Sequence, residues 1–233
     1  MKGHIHMHPL KLIHFSDILC VWAYVGQAPL YRLAEKFGDR IDIEVHYCSV
    51  FPDARAKLSR LWKNKGGFEG YANHVKEVAR EFDGVTVHED VWSKTRPLSS
   101  ASPHLFLKAI DLLAKDGGAS TYESRLSVKA AKTLRSAFFQ DAEDISDWAV
   151  QRVISEQIGV DFSDICKKVE TGEAMAELAT DYELAQKTGV KGSPTYILND
   201  GRQTLFGNIS YDILEVNVAE LLKQQNKMNA SPC

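Results

Sequence analysis

"FSDILCVWAYVG", residues 15–26, joins an apolar run to a segment of helical spacing and sets Cys20 at the joint. Upstream, "PLKLIHFSD" crowds β-branched and aromatic residues together, which predicts a buried strand over residues 10–16. Downstream, Trp22, Val25, Leu33 and Phe37 fall near one helix face, and Gly38 supplies a stop. Pro29 lies inside that helix and should bend it by removing a backbone donor. In "RIDIEVHYC", Ile41, Ile43, Val45 and Tyr47 alternate with Asp42, Glu44, His46 and Cys48, the period of a half-exposed strand. Strand, helix and strand in this order predict a β-α-β unit whose second strand returns in parallel through a right-handed crossover.

The far end carries a different pair of strands. "PTYIL" and "RQTLF" flank Asn199-Asp200-Gly201, a short loop with a glycine suited to positive φ, and read as a hairpin. Ser210 can cap a last helix carrying Ile213, Leu214, Val218, Leu221 and Leu222, with "QQNKMNASPC" as a frayed tail. Between about residues 52 and 188 the spacing is mostly helical. One helix is expected to start at Ser102-Pro103, others over 121–139 and 146–158, one from Phe162, and one from about Glu173 to Gly189. Met175, Leu178, Tyr182 and Ala185 mark one side of that last helix, and "VTVH" near residue 86 is left open between strand and link. The order is β-α-β, a large helical insertion, then β-β-α, an α/β core interrupted by a helical domain.

At 233 residues, 44% apolar and 25% charged, the chain has the composition of an ordinary globular protein. A net charge of −3 and the lack of any Lys/Arg-rich run give no footprint for nucleic acid. No apolar run is long enough to span a bilayer, and "MKGHIHMHPL" lacks the apolar centre of a secretory signal. Cys20, Cys48, Cys166 and Cys233 are too widely scattered for a disulfide framework, so a reducing cytoplasm is the expected location. His4, His6 and His8 alternate, and are read as a terminal tail over a metal site; no metal and no tightly bound cofactor is expected.

A cysteine at a helix start faces unpaired backbone N–H groups, which favour its thiolate and make Cys20 a candidate nucleophile. The second half of the candidate site is "GVKGSPTY", where a cis bond before Pro194 would aim the Ser193 backbone at the thiol, ready to pair with an extended peptide. These two stretches resemble the DsbA-like oxidoreductases, particularly the FrnE-like branch, over roughly residues 10–226. The matches are Ser16, Asp17, Cys20, Trp22, Tyr24 and Gly26 in the first stretch, and Gly189, Val190, Gly192, Pro194 and Thr195 in the second. "PLSSASPHLFLKA" is similar to a third family segment bordering the site, matched at Ser100 and His104.

The resemblance implies a thioredoxin fold, with the core over 10–50 and 189–226 and an all-helical insertion over 51–188 whose last helix packs back on the core. It also implies kinship with the 2-hydroxychromene-2-carboxylate isomerases and kappa-class glutathione transferases, which put serine at the nucleophile position and use glutathione as the working thiol. Against the pattern, Val21 replaces proline, Ala23 replaces the second cysteine, and Ser99 stands where asparagine is expected.

The reading that follows is a thiol–disulfide oxidoreductase working through Cys20 alone, with glutathione as co-substrate and resolving thiol. Trp22 would shield the thiol, and Asp17 would relay protons or cap the helix. Ser193, Pro194, Thr195, Ser100 and His104 would hold glutathione or a mixed-disulfide substrate. Cys48, at the C-terminal end of the neighbouring parallel strand, is a displaced candidate for the resolving thiol. The alternative is a glutathione-dependent isomerase or transferase acting on a small electrophile, with Phe51, Trp62, Trp92, Leu105 or Phe106 as pocket walls. A non-catalytic module that binds a partner beside Pro194 is a third reading, and a homodimer is left open. His14 is expected to be a satisfied core histidine, Cys166 a packing residue, and Gly66, Gly67 and Gly70 no phosphate loop.

Overall fold

The computed structural model describes residues 8–114 and 121–230. The chain opens with β1 (Leu10–Ser16), α1 (Val21–Val25), α2 (Gln27–Phe37) and β2 (Ile41–Tyr47). β1 and β2 are parallel, with Leu10 opposite Ile41 and Ser16 opposite Tyr47. The single bent helix expected from the spacing is two helices. Pro29 lacks the N–H that would bond the Val25 carbonyl, and α1 ends at Val25. Gly26 bridges the break, its N–H bonded to the Trp22 carbonyl and its carbonyl accepting from Leu30.

Among the described residues, seven α-helices follow: α3 (Ala54–Leu61), α4 (Gly67–Arg80), α5 (Ala101–Ala114), α6 (Leu126–Phe139), α7 (Trp148–Gln157), α8 (Phe162–Glu170) and α9 (Glu173–Lys187). α3 and α4 lie within the stretch of mostly helical spacing, which sets no bounds for either, and Gly66, Gly67 and Gly70 form no phosphate loop there. Gly70 instead lets α4 pass the preceding chain, since a Cβ there would sit 1.7 Å from the Lys65 carbonyl oxygen. α5 begins at Ala101, ahead of the Ser102-Pro103 start, with the His104 N–H bonded to the Ser100 carbonyl. "VTVH" is an extended link that pairs with no strand among the described residues. On α9 the buried side is Ala174, Leu178, Asp181 and Ala185, while Met175 is exposed.

The chain then forms β3 (Thr195–Leu198), β4 (Gln203–Phe206) and α10 (Tyr211–Ala230). The sheet order is β2-β1-β3-β4, with β3 antiparallel to β1 and to β4. Asn199, Asp200 and Gly201 all take positive φ, the conformation that turns a tight hairpin. The Ser210 hydroxyl accepts from the Ile213 N–H at 3.4 Å, and α10 continues to Ala230, further than the frayed tail expected there. Leu214, Val218, Leu221 and Leu222 are buried and Ile213 is exposed.

This is the mixed α/β thioredoxin fold with a helical insertion. Leu12, Leu30, Leu33, Ile43, Leu214 and Val218 form one apolar cluster. Cys20 belongs to a second, which runs from Ile18 and Val21 through Phe51, Trp92 and Phe106 to Phe138. Cys48 belongs to a third, with Phe15, Ala185 and Ile197. The site therefore lies where β1 leaves the sheet and meets the inserted helices.

Candidate active site

Cys20 is the residue before α1, in an extended conformation, with its N–H bonded to the Asp17 carbonyl. Its Sγ lies 3.2 Å from the carbonyl oxygen of Ser193, and the residue is only 6% exposed. A carbonyl only accepts, so this contact holds the proton on sulfur. Burial pushes the thiol above its ordinary value. The Ala23 amide opposes this, the Asp17 charge adds to it, and the Ser193 side chain and Trp22 amide pull down without reversing it. Burial thus opposes the activation expected at a helix start, and α1 is only five residues long.

Asp17 is fully buried, and its carboxylate gathers four donors. Oδ1 accepts from the Leu19 N–H at 2.9 Å. Oδ2 accepts from the Val50 and Phe51 N–H groups at 2.9 and 3.0 Å and from the Ser100 hydroxyl at 2.7 Å. One side chain thus ties the β1–α1 turn, the segment after β2 and the start of α5 together. The Leu19 bond has the local form of a cap, and the others reach across the fold.

Ser193 is joined to the same turn twice. Its hydroxyl accepts from the Asp17 N–H at 2.8 Å, and its carbonyl accepts from Cys20. The Ser193–Pro194 peptide bond is cis. That carbonyl accepts one bond from the thiol and keeps a second lone pair, and among the described residues no hydrogen bond engages the Ser193 N–H. Thr195 begins β3, with its hydroxyl donating to the Gly192 carbonyl at 2.7 Å.

His104 is fully buried, not at the surface, and its Nε2 accepts from the Ile18 N–H at 3.1 Å. Burial holds its pKa down to about 4, so the ring is neutral and carries its proton on Nδ1. It stacks on Tyr47 with centroids 4.6 Å apart. Trp22 packs edge-on against His74 and Phe82. Phe51 and Trp92 are buried core residues, whereas Leu105 and the buried Phe106 line a cavity with Phe162, and Trp62 is half-buried. Cys166 is half-buried on α8 beside a cavity with Phe162 and Val169; Cys233, His4 and His6 lie outside the described residues.

Cys48 follows β2, with its N–H bonded to the Ser16 carbonyl. Its thiol is free, as is that of Cys20, and burial pushes its pKa well up. It lines a 440 Å³ cavity with the motif residue Gly192 and with Lys57, Tyr182 and Lys191, which the motifs do not single out. Lys57 is recognisable only in three dimensions: its Nζ donates to the Val50 carbonyl and lies 4.3 Å from the Phe51 ring centre. Behind the cavity, the buried Asp181 accepts from His46, the Tyr47 N–H and Lys108, pinning α9 and α5 to the end of β2. Among the described residues no group of three or more His, Cys, Asp or Glu side chains could hold a metal ion. No helix among them is long and apolar enough to cross a membrane.

Comparison with known proteins places these features in a family setting. The model of the DSBA-like thioredoxin domain matches residues 11–219. The ClpXP adapter protein SpxH of Bacillus subtilis is 23% identical over 240 residues, spanning 99% of this chain and 74% of that protein. The cytosolic disulfide reductase DsbM of Pseudomonas aeruginosa superposes with a TM-score of 0.64 at 19% identity, covering 94% of this chain and all of that one, and has also been solved with GSH. A 2-hydroxychromene-2-carboxylate isomerase superposes at 0.60 with 16% identity, covering 94% of this chain and 98% of the other. At these identities the structural likenesses establish the fold alone.

Proposed function

The chain belongs to the DSBA-like thioredoxin domain family, and from that premise we propose that it is a one-thiol thiol–disulfide oxidoreductase. The carrying observation is the 3.2 Å contact between the Cys20 thiol and the carbonyl that precedes Pro194, in a sequence whose second motif cysteine is Ala23. Cys20 gives up its proton and attacks one sulfur of a mixed disulfide. A bond forms between Cys20 and that sulfur, and the other sulfur leaves as a thiolate that takes up the proton. Free glutathione, as its thiolate, then attacks the bound sulfur, and Cys20 departs and is reprotonated beside Ser193. The product is a new disulfide, so no second protein thiol is required.

The raised pKa makes the thiolate scarce at neutral pH, but a more basic thiolate is also intrinsically the stronger nucleophile. Asp17, Ser100 and His104 position the turn that carries Cys20, and Ser193, Pro194 and Thr195 form the face on which the substrate backbone lies. Trp22 borders the thiol as its near neighbour in sequence. The cavity lined by Lys57 and Lys191 is a cationic neighbour suited to a carboxylate of glutathione. A reducing compartment would supply that co-substrate. The test is turnover of a glutathionylated peptide with glutathione, NADPH and glutathione reductase. Activity should be lost in Cys20→Ser and kept in Cys48→Ala; equal activity of wild type and Cys20→Ser would overturn the proposal.

The proton held on Cys20 also suits a second reading, a glutathione-dependent isomerase or transferase. There the thiol donates a hydrogen bond to a glutathione thiolate instead of reacting. Isomerisation of a chromene-type substrate that depends on glutathione and survives in Cys20→Ser would select it.

A further inference from the structure

Arg135, on α6, is 6% exposed, and among the described residues no carboxylate forms an ion pair with it. Its Nη1 donates to Gln27 Oε1 at 3.1 Å and its Nη2 to the Ser16 hydroxyl at 2.7 Å, while its Nε has no partner. His14, 5% exposed, stacks on Tyr196 with centroids 4.9 Å apart, and neither of its ring nitrogens has a partner. It is not the satisfied core histidine expected from the sequence. Both side chains line one cavity of about 20 Å³, together with Gln27, Tyr31, Tyr47 and Tyr122. No acidic residue lines it.

A buried guanidinium with only neutral partners is costly, because hydrogen bonds replace lost water without supplying the opposite charge. The space exceeds the roughly 10–15 Å³ that one water-sized particle requires. Two of the groups on its wall are donors without a partner: the Arg135 Nε–H, and the one N–H of a neutral His14. We propose that this cavity is a binding site for a single halide-sized inorganic anion, chloride in ordinary solution, held by Arg135 and His14. A water molecule would satisfy the same donors but leave the charge uncompensated. The bound anion fixes Arg135 against Ser16, the last residue of β1 before the active-site turn, so occupancy stiffens the strand end that presents Asp17 and Cys20.

Thermal unfolding of the full chain at constant ionic strength, with sodium chloride replacing sodium gluconate, tests the site. Gluconate cannot enter a cavity of this size. The midpoint should rise with the logarithm of chloride concentration, by about 5 °C for a hundredfold increase beyond half-occupancy. Arg135→Met should remove the chloride dependence. A crystal of the wild-type protein grown in bromide gives an independent readout should that variant fail to fold. An anomalous peak between Arg135 and His14 is expected. Equal midpoints in the two salts, or an ordered water and no bromide in the cavity, would overturn the proposal.

Discussion

Ser193 is held to the Cys20 turn by two bonds: its carbonyl accepts from the Cys20 thiol at 3.2 Å, and its hydroxyl accepts from the Asp17 N–H at 2.8 Å. The proline loop and the cysteine turn, 173 residues apart in the chain, are thus one rigid unit. Any chemistry at Cys20 must first lift its proton away from that carbonyl.

The thiol should therefore react as a weak acid. Alkylation of Cys20 by iodoacetamide, followed by peptide mapping, should keep accelerating above the ordinary thiol value of about 8.5 instead of levelling off there. The same shift has a stability consequence. Cys20 and Cys48 both have folded pKa values raised above their unfolded values. Their contribution is complete below the unfolded value and is lost as pH climbs through the folded ones. Stability measured by urea should fall from about pH 8.5 upward. The fall should be shallower in Cys48→Ala; a plateau in alkylation near neutral pH would contradict the burial argument.

Asp17 should be among the most costly side chains to truncate. Asp17→Ala strands three buried N–H groups and the Ser100 hydroxyl, and should cost about 3 kcal/mol or more. Asp17→Asn keeps an acceptor oxygen and should lose less. A loss below about 1 kcal/mol for the alanine variant in urea unfolding would show that the turn holds without it.

Acid should weaken the fold through its buried histidines. The pKa values of His104 and His14 are lowered from 6.5 to about 4 and about 3 by burial. A depressed folded value means stability present above the unfolded pKa and lost as pH falls from about 6.5 toward those values. His104→Gln, which keeps an acceptor available for the Ile18 N–H but does not titrate, should flatten the dependence between about pH 6 and 4. An unchanged slope in that variant would assign the acid sensitivity elsewhere.

The fold was largely legible because its periods are local. The alternation from Ile41 to Tyr47, the stop at Gly38 and the Asn199-Asp200-Gly201 turn each state their structure within a few residues. The bounds of α3 and α4 were hidden, and nothing in the spacing shows that Gly70 is a clearance for the Lys65 carbonyl. Cys20 and Pro194 were legible as motif positions. The protonation state of the thiol was not, since it depends on burial supplied by residues distant in the chain. The partners of Asp17 at Val50, Phe51 and Ser100, the bond from Ile18 to His104 and the unpaired charge of Arg135 are likewise long-range. No spacing rule marks them.

The direct test of the one-thiol account is intact-mass analysis of the native protein after exposure to oxidised glutathione, with peptide mapping of the products. One glutathione on Cys20, removed by reduced glutathione, is expected, with Cys48 unmodified. A Cys20 that stays reduced while the unfolded chain is readily modified, or an internal Cys20–Cys48 disulfide, would contradict it.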